Sequence, residues 1–270
     1  MRLIKKSFEK VNLPKEVIFQ GGLGSQIIAY AAYSYLQKTS KLVYANLDYY
    51  KNNSPNFAKP GEGVSFWGYD LDKYSINMSD LTENTESEPV KLVDQEYEKF
   101  NLFFEAQATL DFLKLFQISK ERRDYAKDLL KESNIHNSPY ICIHIRRGDY
   151  LNVASHLVKD EEFIEIIDKF HKLADSIVIL SDSKIDSKIK TLAEKKFKNV
   201  SLLDDSRISQ VDGHNIMRNA DILITSNSTY SLTAGVMNKN VVLIPKIWFG
   251  GSRESKLAHK LLNLGKFSLI

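Results

Sequence analysis

The sequence predicts an α/β fold whose C-terminal half is a doubly wound parallel sheet. From residue 140 onward, short apolar segments alternate strictly with segments of helical periodicity. The apolar segments become polar only at their carboxyl ends, which is typical of strands that helices cover on both faces. Strict alternation of strand and helix implies parallel strands joined by right-handed crossovers.

The composition is that of a globular protein with room for two modest domains. The chain has 270 residues, of which 43% are hydrophobic and 26% are charged. A net charge of +3 without a sustained basic stripe argues against nucleic-acid binding. The single cysteine, Cys142, lies in a predicted buried strand and can form neither an intramolecular disulfide nor a zinc cluster. A reducing, cytoplasmic location is therefore expected.

The amino-terminal segment, residues 1–14, combines basic and apolar residues. It lacks the continuous apolar core and the small-residue cleavage site of a secretory signal. Its pattern fits a short amphipathic helix that touches anionic lipid on the inner face of the membrane. An ordinary packing helix or a frayed end explains the same pattern and is the favoured alternative, so peripheral membrane contact stays the second of two alternatives.

The N-terminal half begins with a strand at 17–19, glycine-rich residues at 21–24 and a helix from 25 to about 38. Backbone N–H groups and the helix dipole converge at such a turn, which makes phosphate binding physically possible. The glycine spacing does not match the dinucleotide-binding fingerprint. Residues 51–98 are rich in Asn, Ser, Pro, Gly and acidic side chains and predict long loops with few regular elements.

The boundary between the two predicted domains follows a helix from Ser119 to about Asn134, with Ser119 as its N-cap. The Asn-Ser-Pro sequence at 137–139 then interrupts the helical pattern. We therefore predict an N-terminal domain over residues 1–137 and a C-terminal domain over residues 138–270.

The C-terminal half alternates five strands with five helices. The strands are predicted at 141–145, 177–180, 200–203, 222–225 and 241–244. The helices are predicted at 160–174, from 183 to 197, from 209 onward, at 228–238 and at 252–264.

Three of these strands end in polar residues that core packing does not require, at 144–149, 181–183 and 225–229. The carboxyl ends of parallel strands share one edge of the sheet, where ligands bind in open α/β folds. Two adjacent guanidinium groups, Arg146 and Arg147, suit a phosphate or pyrophosphate. The alternative is a surface turn with solvated charges.

The hydroxyl groups of Ser228 and Thr229 fall at a predicted helix N-terminus, where they and free N–H groups can bind phosphate oxygens. Helix capping alone would explain Ser228, and Ser183 in the same way. Because these hydroxyl groups share one edge of the sheet with two arginines, a nucleotide site explains the pattern better than helix capping alone does.

Several motifs resemble those of a known family. The sequence His-Ile-Arg-Arg-Gly-Asp-Tyr at 144–150 looks like the H-x-R-R-G-D-Y motif of the bacterial and animal α-1,2-fucosyltransferases, glycosyltransferase family 11. Residues 21–26 resemble the opening G-G-L-G-N-Q of that family. Further similarities follow in family order at 67–74, 181–183, 219–231 and 245–249.

The chain departs from the family pattern at a few positions. Ser25 stands where the family has Asn, and Ser183 stands where it has a second Asp. Leu232 and Thr233 occupy positions that are usually aromatic. These departures concern the acceptor, and to a lesser degree the donor sugar, more than the fold.

The resemblance implies a GT-B-like pair of Rossmann-type domains, an acceptor-side N-terminal domain and a nucleotide-sugar-binding C-terminal domain. It implies inverting transfer of L-fucose from GDP-β-L-fucose to a sugar hydroxyl, with galactose O-2 of a surface glycan or its precursor as the expected acceptor. The expected partners are therefore a nucleotide-sugar donor and a glycan. No cofactor and no obligatory metal are implied.

The resemblance also implies roles for individual residues. Arg146 is expected to make the main pyrophosphate contact, whereas Arg147 either joins it or braces the turn by pairing with a carboxylate. Asp149 and His144 are the candidate bases for the acceptor hydroxyl, and Asp182 is placed to accept a hydrogen bond from guanine or ribose. The remaining expected donor-binding residues are Gly22, Gly24, Ser25, Gln26, Ser226, Asn227, Ser228 and Thr229.

Two other functions stay open. One is a glycosyltransferase of the same architecture that uses a different nucleotide sugar. The other is a non-catalytic protein that binds a nucleotide or a glycan on a transferase fold.

Overall fold

The computed structural model of the chain describes residues 13–40, 42–51, 67–85, 89–93, 96–135, 138–152, 156–204, 207–245 and 258–270. For Asp149 it describes the backbone alone. Residues 1–12, which form most of the segment with the alternative of lipid contact, and residues 252–257 of the last predicted helix lie outside the described residues. Within the described ranges, no helix has the length and apolar character needed to cross a membrane.

The N-terminal sheet has three parallel strands in the order β2-β1-β3. They are β1 (Lys15–Ile18), β2 (Val43–Asn46) and β3 (Lys91–Val93). The register places Val17 of the central strand beside Ala45 and Val93, and all three are buried. The sheet therefore has an apolar centre although each strand is very short.

The helices of the N-terminal half are α1 (Leu23–Thr39), α2 (Asp48–Lys51), α3 (Glu96–Thr109), α4 (Phe112–Leu115) and α5 (Lys120–Glu132). Short 3-10 helices lie at Leu71–Tyr74 and Met78–Asp80. The predicted N-cap of α5 is confirmed, since Oγ of Ser119 accepts from the backbone N–H of Arg122 at 3.3 Å. Helix α3 packs along α1.

The C-terminal sheet has six strands in the order β6-β5-β4-β7-β8-β9, and all neighbours are parallel. The strands are β4 (Tyr140–Ile145), β5 (Ser176–Ser181), β6 (Asn199–Asp204), β7 (Ile222–Ile224), β8 (Val241–Ile244) and β9 (Phe267–Leu269). The predicted parallel α/β architecture is confirmed. Strand β9, which adds an edge to the sheet, was not predicted.

The helices of the C-terminal half are α6 (Asp160–Phe170), α7 (Ser187–Lys196), α8 (Gln210–Arg218) and α9 (Thr229–Met237), and residues 258–262 are also helical. Helix α7 begins later than predicted, because the side chain of Asp186, and not Ser183, accepts from the backbone N–H of Lys188. Ser209 caps α8 and Ser228 caps α9, as their sequence positions predict.

Alternate residues of β4 enter two different layers of the core. Ile141, Ile143 and Ile145 pack with α6 and α7 on one face of the sheet. Cys142 and His144 share the other face, and His144 lies against Tyr230 of α9. This face also looks toward the N-terminal half, because α1 packs on α9. The cleft between the halves therefore opens beside the carboxyl end of β4.

Candidate active site

The glycine-rich turn brings the start of α1 into direct contact with the start of α9. A Cβ atom on Gly24 would lie 2.4 Å from the carbonyl carbon of Thr229 and 2.4 Å from the backbone nitrogen of Tyr230. Only a glycine hydrogen fits into that space. The two halves of the chain thus meet backbone to backbone at this point.

The amino ends of three helices surround one cavity of about 200 Å³. Gly22, Gly24 and Ser25 belong to the start of α1, Ser209 and Gln210 to the start of α8, and Ser228 and Thr229 to the start of α9. Each helix carries a partial positive charge at this end together with backbone N–H groups that no carbonyl of the helix satisfies. The cavity is therefore a favourable place for an anion.

Arg146 supplies a full positive charge to the same cavity. It follows β4 directly, and its Nη1 atom lies 2.7 Å from Oδ2 of Asp182. The guanidinium carbon lies 5.4 Å from the ring centroid of Trp67 and 5.2 Å from that of Tyr150. A carboxylate and two aromatic rings therefore fix the position of this cation before any ligand arrives.

Asp182 holds the turn that carries Arg146. Its Oδ1 atom accepts from the backbone N–H of Arg147 at 2.7 Å. Gly148 adopts a φ of +30°, and a Cβ there would lie 2.6 Å from Oδ2 of Asp182. Both carboxylate oxygens thus face the 146–148 turn, whereas the sequence predicted a contact with guanine or ribose.

Arg147 braces the structure outside the cavity wall. Its guanidinium donates to the carbonyl oxygens of Arg146 and Val158, each at 2.9 Å, and forms an ion pair with Asp160. Of the two roles that the sequence left open, these contacts agree with the bracing one, in which Arg147 pairs with a carboxylate, here that of Asp160.

His144 lines the cavity but is only 2% exposed. Its Nδ1 atom lies 2.8 Å from Oγ of Ser226. Burial, with a smaller contribution from the charge of Arg146, lowers the pKa of His144 to about 3. The imidazole is therefore neutral at ordinary pH.

Gln26 lies behind the cavity wall and joins two segments of it. Its Nε2 group donates to the carbonyl oxygens of Gly21 at 3.0 Å and Gly68 at 2.8 Å, and its Oε1 atom accepts from the backbone N–H of Asp70 at 2.8 Å. The side chain is completely buried. These bonds hold Trp67, which precedes Gly68, beside the glycine-rich turn.

Tyr230 fastens α9 to α8 at the cavity. Its hydroxyl donates to the carbonyl oxygen of Gln210, and a Cβ on Gly213 would lie 2.7 Å from that hydroxyl oxygen. Its ring contacts the ring of His144 at a centroid distance of 5.3 Å. The missing side chain at Gly213 thus makes room for a tyrosine that sets the spacing of two helix amino ends.

The structure gathers most of the predicted site residues at one place. Those that line the cavity are Gly22, Gly24, Ser25, His144, Arg146, Asp182, Ser228 and Thr229. Those that lie behind or beside it are Gln26, Arg147, Ser226 and Asn227, of which Asn227 donates to the carbonyl oxygen of His156 at 3.3 Å. The side chain of Asp149 lies outside the described residues.

Some lining residues were not predicted to belong to the site. They include Trp67, Tyr150, Ser209, Gln210 and Tyr230. Trp67, Tyr150 and Tyr230 stand inside segments that resemble family motifs, and this was the available signal for them. Ser209 and Gln210 carry only the pattern of a helix start, which does not distinguish a site from an ordinary cap.

No described part of the chain brings together three or more His, Cys, Asp or Glu side chains in a way that could hold a metal ion.

The fold is similar to that of a solved glycosyltransferase structure. The structure of a glycosyl transferase family 9 protein from Veillonella parvula DSM 2008 has a TM-score of 0.51 at 11% identity and covers 96% of this chain and 86% of its own. POFUT1 in complex with GDP has a TM-score of 0.46 at 13% identity, covering 89% of this chain and 96% of its own. NodZ, an alpha-1,6-fucosyltransferase soaked with GDP-fucose, has a TM-score of 0.44 at 13% identity and covers 83% of this chain and 92% of its own.

A search of curated proteins finds no match. The sequence model of glycosyl transferase family 11 matches residues 94–264, a span of more than half the chain that includes Arg146, Asp182 and the start of α9. This match shows that the chain belongs to glycosyl transferase family 11.

Proposed function

We propose that this protein transfers L-fucose from GDP-β-L-fucose to a sugar hydroxyl, with inversion at the anomeric carbon and without an obligatory metal. The observation that carries the proposal is the convergence of three helix amino ends and the fixed guanidinium of Arg146 on one cavity. Family membership supports glycosyl transfer in general, and the motif resemblance supports fucose and GDP in particular.

The reaction needs positive charge where the nucleotide leaves. As the bond between fucose and the β-phosphate breaks, negative charge grows on the phosphate. Donors and cations that are already in position stabilise such charge without reorganisation at the moment of reaction. Arg146, held by Asp182 and two rings, meets this requirement, and the N–H groups at the starts of α1, α8 and α9 add to it.

The size of the cavity favours one part of the donor. At about 200 Å³ it is smaller than the roughly 300–1,000 Å³ of a complete ligand pocket. It has room for a diphosphate and part of a sugar, and the rest of the donor would extend into the open cleft. Since Asp182 is engaged with the 146–148 turn, we propose that other groups recognise the guanine.

The two candidate bases differ in their suitability. A histidine whose pKa is about 3 is a weak proton acceptor, because an effective base titrates near the working pH. We therefore propose that His144 orients neighbouring groups and that Asp149 is the better candidate for deprotonating the acceptor hydroxyl. Galactose O-2 of a surface glycan or its precursor is the proposed acceptor, on the motif resemblance.

The test is release of GDP from GDP-fucose by the purified protein in excess EDTA, with and without a panel of β-galactosides. Acceptor-stimulated release, with a product of inverted configuration, is the expected result. The Arg146→Ala variant serves as the control for contaminating activity. Complete loss of activity in EDTA that Mn²⁺ restores would contradict the metal-free mechanism.

A different donor sugar is the second candidate function. Ser25 lines the cavity at the position where the family pattern has Asn, so this chain presents a shorter side chain to the ligand. The same assay with GDP-mannose and UDP-sugars separates the two candidates. Faster release from one of these donors than from GDP-fucose would favour the second.

A further inference from the structure

A second cavity lies away from the cleft, at the opposite end of α8. Its volume is about 420 Å³, and its walls come from residues 113–123 and from the end of α8. The polar residues that line it are Lys114, Gln117, Arg123, Asn215, Arg218 and Asn219. Helix α8 thus presents its first turn to the proposed donor site and its last turn to this second cavity.

The charge of this cavity is entirely positive. Lys114, Arg123 and Arg218 line it, and none of the described lining residues is acidic. Among the described residues, none of these three cations forms an ion pair. The last turn of α8 contributes a negative partial charge of only about half an elementary charge, which leaves most of the positive charge uncompensated.

The two guanidinium groups are already fixed in place. Nη1 of Arg218 donates to the carbonyl oxygen of Phe116 at 3.0 Å, and Nη1 of Arg123 donates to that of Ile118. Burial lowers the pKa of Arg218 from its ordinary value, Tyr74 acts against this shift, and the charge of Arg123 adds to it. A half-buried cation next to a second cation is unfavourable unless an anion joins them.

A buried amide adds a hydrogen-bond donor to the cavity wall. Asn215 is 5% exposed, and its backbone carbonyl and Oδ1 accept from Nδ2 of Asn219 at 2.7 Å and 3.0 Å. Because Nδ2 of Asn219 donates to the backbone carbonyl of Asn215, the amide nitrogen of Asn219 faces Asn215. The Asn215 side-chain atom that lies next to this nitrogen must then be the acceptor, Oδ1. Nδ2 of Asn215 therefore points away from Asn219 and has no acceptor among the described residues.

We propose that this cavity is a second ligand site, which binds a phosphate or sulfate group carried on a larger polar molecule such as a phosphorylated or sulfated saccharide. Two guanidinium groups, an ammonium group and an amide supply donors, and the described lining residues offer no competing carboxylate. A water molecule takes about 30 Å³, so a bare oxyanion would fill only a small part of the space. The site is independent of the reaction proposed for the cleft.

The test must separate this cavity from the cleft, which also attracts anions. Binding is therefore measured by calorimetry at low ionic strength on the full chain carrying Arg146→Ala. The probes are inorganic phosphate, sulfate, acetate, glucose 6-phosphate and glucose. We expect one site for phosphate and sulfate, tighter binding of glucose 6-phosphate, weaker binding of acetate and none of glucose.

The variant that tests the location is Lys114→Gln with Arg123→Gln, in the same Arg146→Ala background. Both side chains are exposed, so the fold should be retained. Loss of two charged donors should weaken phosphate binding at least ~10-fold. The matched control is Lys127→Gln with Lys131→Gln, which removes the same charge from the exposed face of α5 and should change binding by less than about twofold.

Three results would overturn the proposal. They are no phosphate binding in the Arg146→Ala protein, equal weakening by the two double variants, and acetate bound as tightly as phosphate. Turnover of GDP-fucose by Lys114→Gln with Arg123→Gln in the otherwise unchanged chain should equal that of the parent. Failure of the cleft reaction in the parent would leave this binding test unaffected.

Discussion

Nη1 of Arg146 lies 2.7 Å from Oδ2 of Asp182, and this ion pair joins the turn after β4 to the end of β5. The two side chains are 14% and 9% exposed, so water screens the pair only partly. The same carboxylate accepts from the backbone N–H of Arg147. One acidic residue therefore fixes both the backbone and the guanidinium of the proposed phosphate site.

Arg146→Ala should lower kcat with GDP-fucose by at least ~100-fold, comparable to the loss of one oxyanion-hole donor. The physical reason is the loss of the only full positive charge that the described residues place on the cavity wall. Steady-state kinetics together with circular dichroism checks this. A folded variant with near-normal kcat would show that Arg146 is not the phosphate contact.

Asp182→Asn should reduce turnover by about 10-fold. Both oxygens of Asp182 face donors, whereas the NH₂ group of an asparagine would face either Arg146 or the N–H of Arg147 and lose that contact. If Asp182 acts through Arg146, the effect disappears in the Arg146→Ala background. Gly148→Ala should have the same effect, since its Cβ would displace Oδ2 of Asp182.

The control for these variants is Asp204→Asn, which removes a carboxylate at the end of the neighbouring strand β6. It should leave kcat near the parent value. If Asp182→Asn weakened binding of GDP but not of inorganic pyrophosphate, and did so equally in the Arg146→Ala background, Asp182 would be a nucleoside contact instead.

Gly24→Ala should destabilise the protein by about 1–3 kcal/mol or more, because the new methyl group would overlap the backbone of Thr229 and Tyr230. Thermal unfolding measures the effect. Gly68→Ala is the matched control, since a Cβ there has no atom within 4 Å. Equal Tm values for the two variants would contradict the backbone contact between α1 and α9.

Acidification should destabilise the protein through two buried histidines. The pKa values of His144 and His214 are lowered from 6.5 to about 3, mainly by burial. The unfolded chain therefore binds more protons than the folded chain between these values, and the free energy of unfolding falls as the pH drops below about 6.5. Each histidine should lower the free energy of unfolding by roughly 2 kcal/mol near pH 5.

The measurement is denaturant unfolding near pH 7.5 and near pH 5 for the parent and for His214→Asn. The imidazole of His214 lies between Tyr74 Oη at 3.0 Å and Thr233 Oγ1 at 3.1 Å, so the variant will be less stable at both pH values. Its stability should nevertheless depend less on pH than that of the parent. An unchanged pH dependence would argue against a neutral, buried His214.

Binding of GDP should change the fluorescence of Trp67, because this ring lines the cavity and stacks on Arg146. The chain has two tryptophans, so each can be removed in turn. The signal should be lost in Trp67→Phe and kept in Trp248→Phe. A signal that survives in Trp67→Phe would place the nucleotide elsewhere.

Much of the C-terminal half could be predicted because its signals are local. Continuous apolar runs such as Ile177–Leu180 predict strands that are covered on both faces, and Ser209 and Ser228 predict helix starts. Strands β2, β3 and β9 were not predicted, since they lack the continuous apolar run that marks the equally short strands β7 and β8. Helix α3 was missed for a related reason, because it begins within a polar stretch.

The sequence by itself determined the parallel α/β architecture, the shared edge at the ends of β4, β5 and β7, and the motif that carries Arg146. These follow from periodicity and from the rule that parallel strands end on one side. The tertiary structure alone decided that Asp182 holds Arg146, that Arg147 turns to Asp160, and that Trp67 closes the cavity. A local pattern specifies which face a side chain occupies, whereas its partner depends on the register of neighbouring strands and on how the two halves meet.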